Sequence, residues 1–219
     1  MFHLHPFITI EGNIGAGKTS LSKLIAAEYN AHLILERFDE NPFIAKFYED
    51  KARYSLPLEL TLMAERYAQM KEVNRYVNSL FTEPLISDYL FIKSKLYAAI
   101  NLKDEEWWLY QKMFDLMHAH LPQPSLLLYL HLPIDKLLKQ IALRGRSYEK
   151  KMDTDYLLQI ENNYFELFKS LNDSKIIVLD ATNLDFVNNT LHYQKIKNIL
   201  SNTWQLGINY IEKETFEEY

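Results

Sequence analysis

Apolar residues along this chain switch repeatedly between short unbroken runs and stripes spaced three and four apart, which predicts strands alternating with helices. Phe7-Ile8-Thr9-Ile10 reads as the first strand. Leu21, Leu24 and Ile25 share one face of a helix that runs to about Tyr29. A short strand follows from His32 to Leu35, ending at Glu36, and then a helical stretch after Pro42. A long helix is predicted from about Pro57 to Leu80, with Leu60, Met63, Ala64, Tyr67 and Met70 as its apolar stripe. Pro84 to Ser87 reads as a buried strand ending at Asp88. Helices are expected over Phe91 to Leu102 and Asp104 to His120, the second opening on an acidic turn that suits its dipole. Ser125 to Leu132 is a strong strand, and Pro133 begins a helix that ends near Arg144. Helix returns from Asp153 to Leu171, then strand from Lys175 to Leu179, then helix from Phe186 to Leu200.

Such alternation implies an α/β fold, a five-stranded parallel sheet with helices on both faces. Ligands then collect at the carboxyl ends of the strands, where Glu36 and Asp88 stand. No repeat, low-complexity segment or linker divides the chain, so residues 1–200 are expected to form a single domain. Residues 201–219, with Trp204 and an acidic finish, match no element and are expected to pack in part and fray.

Composition narrows the function more than the fold. The 219 residues are 48% hydrophobic and 24% charged, ordinary for a soluble globular protein of one domain, or one domain with a lid. Cysteine is absent, which excludes disulfides and thiolate metal sites and suits a reducing compartment. No charged-then-apolar leader and no stretch of about 18 apolar residues occurs, so no membrane partner is expected and the cytoplasm is the expected location. A net charge of -5 without a basic run argues against a nucleic-acid polymer as partner but leaves room for a small phosphorylated ligand. The pairs His3/His5 and His118/His120 have metal-like spacing, but solvated histidines are the expected reading at a terminus and a helix end.

The chemistry is concentrated around the glycines. Gly12-Asn13-Ile14-Gly15-Ala16-Gly17-Lys18-Thr19 satisfies the phosphate-loop pattern of ATP- and GTP-binding proteins and sits, as it must, between a strand and a helix. The backbone N–H groups of such a loop cradle phosphates, Lys18 reaches the terminal phosphates, Thr19 ligates Mg²⁺, and the helix start around Ser20 favours anionic charge. Of the remaining two glycines, one marks Arg144-Gly145-Arg146-Ser147-Tyr148-Glu149-Lys150-Lys151, a cationic loop just after a helix. It either caps that helix with favourable positive charge or closes as a lid, at about 144–152, over ATP phosphates.

Together these segments resemble the deoxynucleoside kinases, the family that includes deoxycytidine, deoxyguanosine and mitochondrial thymidine kinases and bacterial deoxyadenosine kinases. The similarity covers residues 7 to 200. It rests on the phosphate loop, Leu35-Glu36 followed by Asn41-Pro42-Phe43, Phe47-Tyr48, Tyr54 to Glu59, the arginine lid, and Asp180 to Phe186. The resemblance implies a P-loop kinase fold and an ATP- and Mg²⁺-dependent enzyme that phosphorylates a deoxynucleoside 5′-hydroxyl. It implies that Glu36 is the general base, that Tyr48 and Glu149 hold the sugar 3′-hydroxyl, and that Arg144 and Arg146 are the lid arginines. It places Asp185 and Phe186 in the segment around the adenine of ATP, acting through backbone groups, and it implies a homodimer.

Two departures from the family pattern stand out. Where the family usually has Asp/Glu-Arg-Ser after the third strand, this chain has Ser87-Asp88-Tyr89. Asp88 could still serve Mg²⁺ through water, but the arginine's charge must come from elsewhere, with Lys93, Lys95 or Arg66 as candidates. A glutamine commonly reads the nucleobase in the family, and Glu59 holds its position. Arg66 lies two helical turns further on, so the two side chains meet the base together or pair with each other. Ionised glutamate only accepts hydrogen bonds. It suits the two donors of guanine and half of the adenine or cytosine edge, so a purine or cytosine is favoured and thymine fits least well.

A thymidylate-type nucleoside monophosphate kinase or a non-catalytic nucleotide binder are the alternatives. The first needs an acceptor-phosphate site, for which only Arg37 lies next to Glu36 in sequence; the second usually loses the base or the loop lysine, and both are present here. The guanine-binding string of GTPase switches is absent. The preferred base, the donor triphosphate and any feedback inhibition are left open.

Overall fold

The computed structural model describes residues 1–77, 83–149 and 152–212. Strands β1 (Phe7–Gly12), β2 (His32–Ile34), β3 (Leu85–Ser87), β4 (Leu126–His131), β5 (Lys175–Asp180) and β6 (Gly207–Ile211) form one sheet in the order β2-β3-β1-β4-β5-β6. Every pairing is parallel. The helices are α1 (Lys18–Tyr29), α2 (Ile44–Glu49), α3 (Lys51–Val77), α4 (Lys93–Asn101), α5 (Asp104–His118), α6 (Ile134–Arg144), α7 (Thr154–Ser170) and α8 (Thr190–Ser201).

Period-two alternation sorts the central strands between two cores. Ile8, Ile10, Leu126, Leu128 and Leu130 face one side, packed against Leu21 and Ile25 of α1 and Ile196 and Ile199 of α8. Leu127, Tyr129, Ile176 and Val178 face the other, against Tyr156, Ile160, Tyr164 and Phe168 of α7. Burial of such side chains stabilises the fold by roughly 1.5–3 kcal/mol each. A third cluster, with Met63 and Met70 of α3, Tyr89, and Tyr110 and Phe114 of α5, covers the β2 and β3 end of the sheet.

The α/β reading holds, with a correction to the strand count. Among the described residues the sheet has six strands, because Gly207–Ile211, in the tail expected to pack in part and fray, pairs with β5 and buries Ile211. Helix α3 begins at Lys51, six positions before the predicted start, and carries Pro57 inside it. Of its expected stripe Met63 and Met70 are buried, whereas Ala64 is exposed; positions 78–80 lie outside the described residues. Helix α8 starts at Thr190, four residues later than Phe186. Two of the four paired histidines are exposed as expected, His3 and His120; the other two are not, since His5 is buried, with Nε2 bonded to the Asn202 carbonyl at 2.9 Å, and His118 stacks on Phe114 at 5.1 Å. Among the described residues no helix is long and apolar enough to cross a membrane.

Candidate active site

Chain order puts β2 and β3 on one side of β1 and β4 to β6 on the other, so the crevice of this parallel sheet opens at the carboxyl end of β1. The phosphate loop starts there. Gly12 passes so close to β4 that a Cβ on it would come within 2.8 Å of the Leu130 carbonyl oxygen. Gly17 has φ +88° and faces the Phe186 ring, which a Cβ would meet at 3.1 Å. Asn13 turns away from the crevice and anchors the loop, its Nδ2 donating to the Leu157 carbonyl of α7 at 2.8 Å. The Lys18 ammonium donates to the carbonyls of Gly12 (2.9 Å) and Asn13 (3.0 Å). Burial, followed by the nearby charge of Lys93, lowers its pKa to about 8.

Asp88, directly after β3, connects this loop to the end of β2. Its Oδ2 accepts from the Thr19 hydroxyl at 2.5 Å and its Oδ1 from the Glu36 backbone N–H at 2.8 Å. Glu36 in turn faces two cations. Arg66 of α3 donates through Nε to Oε1 at 2.7 Å and through Nη2 to the same oxygen, while Lys93 at the start of α4 donates to Oε2 at 2.8 Å. Arg66 is itself fixed by Nη1 to Ser94 Oγ at 2.8 Å. Burial works to raise the Glu36 carboxyl, but Arg66 and then Lys93 overcome it and hold the group well below the usual carboxylate range.

Deeper in the cleft Glu59 is 1% exposed. Its Oε1 accepts from Asn101 Nδ2 at 2.6 Å, and Asn101 also reaches the Tyr156 hydroxyl at 3.3 Å. Oε2 is buried with no partner among the described residues. Burial, only partly offset by the Asn101 hydrogen bond, pushes this carboxyl up to about 7. On the opposite wall the buried Glu149 accepts a bidentate pair from Arg144 (Nη2 to Oε1 2.5 Å, Nε to Oε2 3.1 Å), with Arg146 at 3.5 Å. Tyr48 stacks on Tyr148 at 5.7 Å, and burial followed by the Glu149 charge raises its phenol above the ordinary value.

One cleft, of about 760 Å³ counting space continuous with solvent, is thus lined by Ile14, Lys18 and Thr19 of the loop and by Glu36, Tyr48, Glu59, Arg66, Asp88, Arg144, Arg146 and Glu149. Asp185 and Phe186 do not line it. Asp185 is exposed and accepts from Asn188 N at 3.0 Å, and Phe186 backs the phosphate loop. Glu59 and Arg66 do not pair with each other; Arg66 is spent on Glu36 and Ser94. Lys95 lies apart, 3.8 Å from Asp115. Three residues escaped sequence reasoning. Glu11 is fully buried in β1, accepting from Leu90 N (2.6 Å) and the Tyr164 hydroxyl (2.8 Å), and a lone carboxylate in an apolar strand was its available signal. Asn101 and Tyr156, which frame Glu59, carry no such signal.

Comparison with known proteins gives the family. Residues 8–204 match the family model described as deoxynucleoside kinase. A deoxyguanosine kinase of Bacillus subtilis (strain 168) is 32% identical over 195 residues, covering 87% of this chain and 94% of the relative. A deoxyadenosine kinase of Lactobacillus acidophilus is 30% identical over 191 residues, covering 83% and 88%. Among solved structures, deoxyadenosine kinase from M. mycoides, described with dCMP and a flexible dCDP bound, superposes with a TM-score of 0.75 at 24% identity over 89% of this chain and 98% of that one. That likeness is one of fold.

Proposed function

This chain belongs to the deoxynucleoside kinase family and phosphorylates deoxynucleosides; within that activity we propose that the phosphate donor is Mg·ATP, that Glu36 is the base and that the acceptor is a purine deoxynucleoside. The observation that carries the reading is Asp88, whose two oxygens accept from Thr19 on the phosphate side and from the Glu36 amide on the hydroxyl side. That link holds a phosphate-binding loop and a carboxylate in one frame, as in-line transfer between two bound substrates requires.

The donor set fits a hard cation. A hydroxyl and a carboxylate already in contact would hold Mg²⁺ in company with phosphate oxygens, and the ion would neutralise charge on those phosphates. The loop amides and Lys18 bind the β- and γ-phosphates, and Arg144 and Arg146 close from the lid to exclude water. Glu36 Oε2 takes the proton of the 5′-hydroxyl as that oxygen bonds to the γ-phosphorus and the bond to the β-phosphate oxygen breaks, releasing the diphosphate. Tyr48 and Glu149 hold the 3′-hydroxyl. Glu59 reads the base: ionised, it accepts from guanine N1–H and the amino group; protonated, it offers a donor beside an acceptor and matches adenine. The relatives named deoxyguanosine kinase and deoxyadenosine kinase support the purine.

The test is transfer from Mg·ATP to deoxyadenosine, deoxyguanosine, deoxycytidine, thymidine and thymidine monophosphate, with Glu36→Gln alongside. Purine deoxynucleosides are expected to be the best acceptors, and the variant to lose about 10²–10⁴-fold in kcat. A variant as active as the parent would remove Glu36 from the role.

A further inference from the structure

We propose that Lys93 supplies the positive charge missing after β3, and that it does so by exchange: it rests on Glu36 and passes to the transferring phosphoryl group once both substrates are bound. This rests on the reading of Glu36 as the base. Lys93 is badly placed for stability alone. It is 3% exposed and is the first residue of α4, where the positive end of the helix dipole and the absence of any acidic residue in the first turn both disfavour a cation. Its hydrogen-bonded compensation is Glu36 Oε2 at 2.8 Å, with the buried Glu11 carboxyl also within reach of its charge and the Tyr97 ring 5.7 Å away.

The two cations on Glu36 differ in how firmly they are held. Arg66 is bound by Nε and Nη2 to one oxygen and by Nη1 to Ser94, a planar fork with every edge engaged. Lys93 reaches the other oxygen with a point charge on a flexible stem. While it stays there, both oxygens of Glu36 are occupied and the carboxylate is a poor acceptor for a hydroxyl proton. Withdrawal of Lys93 frees Oε2 and restores basicity in one motion. The destination is close: Lys93 and Lys18 line the same cleft with mutually repelling charges, and a polyphosphate arriving on the loop attracts both. As the 5′-oxygen bonds to the γ-phosphorus and its proton moves to Glu36 Oε2, the bond to the β-phosphate oxygen breaks, and Lys93 neutralises the equatorial oxygens in transit.

The experiment uses the full chain with Mg·ATP and whichever deoxynucleoside the parent protein phosphorylates best. Lys93→Met is expected to lower kcat by about 10²–10³-fold while the nucleoside KM moves less than about threefold. In Lys93→Ala, added n-propylammonium should recover at least about tenfold of the lost kcat with saturation, and tetramethylammonium at equal ionic strength should not; a merely structural lysine would not respond. In a Glu36→Gln background, Lys93→Met should still cost about tenfold or more of the residual rate. Lys93→Met within about threefold of the parent, a loss that no alkylammonium restores, or no further loss in the Glu36→Gln background would each overturn the proposal. If Lys93→Met does not fold, Lys93→Gln takes its place in both arms. A parent protein inactive on every deoxynucleoside would instead overturn the reading of the site itself.

Discussion

A carboxylate with one oxygen engaged and the other buried without a partner is costly to ionise, and among the described residues Glu59 is such a group, with its pKa pushed up to about 7. In the unfolded chain it titrates at its ordinary value of 4.5. Between the two values the unfolded chain releases a proton that the folded chain keeps, so stability falls as pH rises through this window and levels off above about 7. The shift corresponds to about 3 kcal/mol. Glu59→Gln should therefore be more stable than the parent at pH 8 by up to that amount and converge with it near pH 4.5, which denaturant melts at both pH values will check. Guanine favours the ionised form and adenine the protonated one, so the ratio of kcat/KM for deoxyguanosine over deoxyadenosine should rise from about pH 6 to about pH 8 and lose that slope in Glu59→Gln. An unchanged preference order would exclude Glu59 from base reading. Glu59 was legible as the candidate for base reading. Its raised pKa was not, because it depends on burial, on Asn101 from another helix and on there being no second donor among the described residues.

Elements were legible where local signals agree and blurred where they compete. Asp153 caps α7 by accepting from Asp155 N at 3.0 Å, and that helix begins where its pattern predicts. The last helix was misplaced because Phe186 continues the apolar pattern, yet its ring serves the phosphate loop. The cap is Asn189, whose Oδ1 accepts from Leu191 N at 3.0 Å and His192 N at 3.3 Å. Asn189→Ala should cost about 1 kcal/mol and lower the thermal midpoint by about 2–4 °C without changing kcat. A neutral result by calorimetry would mean that α8 is positioned by Ile196, Ile199 and Leu200 alone. Pro57 misled in the other direction. Proline favours a first turn, but here it stands inside α3, and the carbonyl that loses its N–H partner four residues earlier belongs to the exposed Arg53, where water can replace it.

At the scale of the whole molecule the correction is β6. The stretch from Gly207 was unreadable as a strand because it is short and carries exposed Tyr210 among its apolar residues, yet it covers the edge of β5 and places Gly207 N 2.8 Å from the Ser174 carbonyl. Ending the chain after Gln205 would uncover Ile176 to Leu179, a fully apolar parallel strand, as a new sheet edge. Such a protein should melt at lower temperature and aggregate on standing, measured by light scattering against the full chain. Equal behaviour would show that β6 contributes nothing to the fold.

The sequence by itself determined whatever depends on neighbours along the chain. A phosphate loop works through backbone amides within eight residues, and strand–helix alternation follows from side-chain period, so the phosphate-loop motif, the parallel sheet and the family resemblance were all present in one dimension. The tertiary structure alone decided which charge meets which. Glu36 lies 30 positions from Arg66 and 57 from Lys93, and the three meet only because α3 and the start of α4 pack beside the end of β2. Electrostatic energy depends on distance and burial, which sequence separation does not encode. The acidity of Glu36 is therefore a property of the fold.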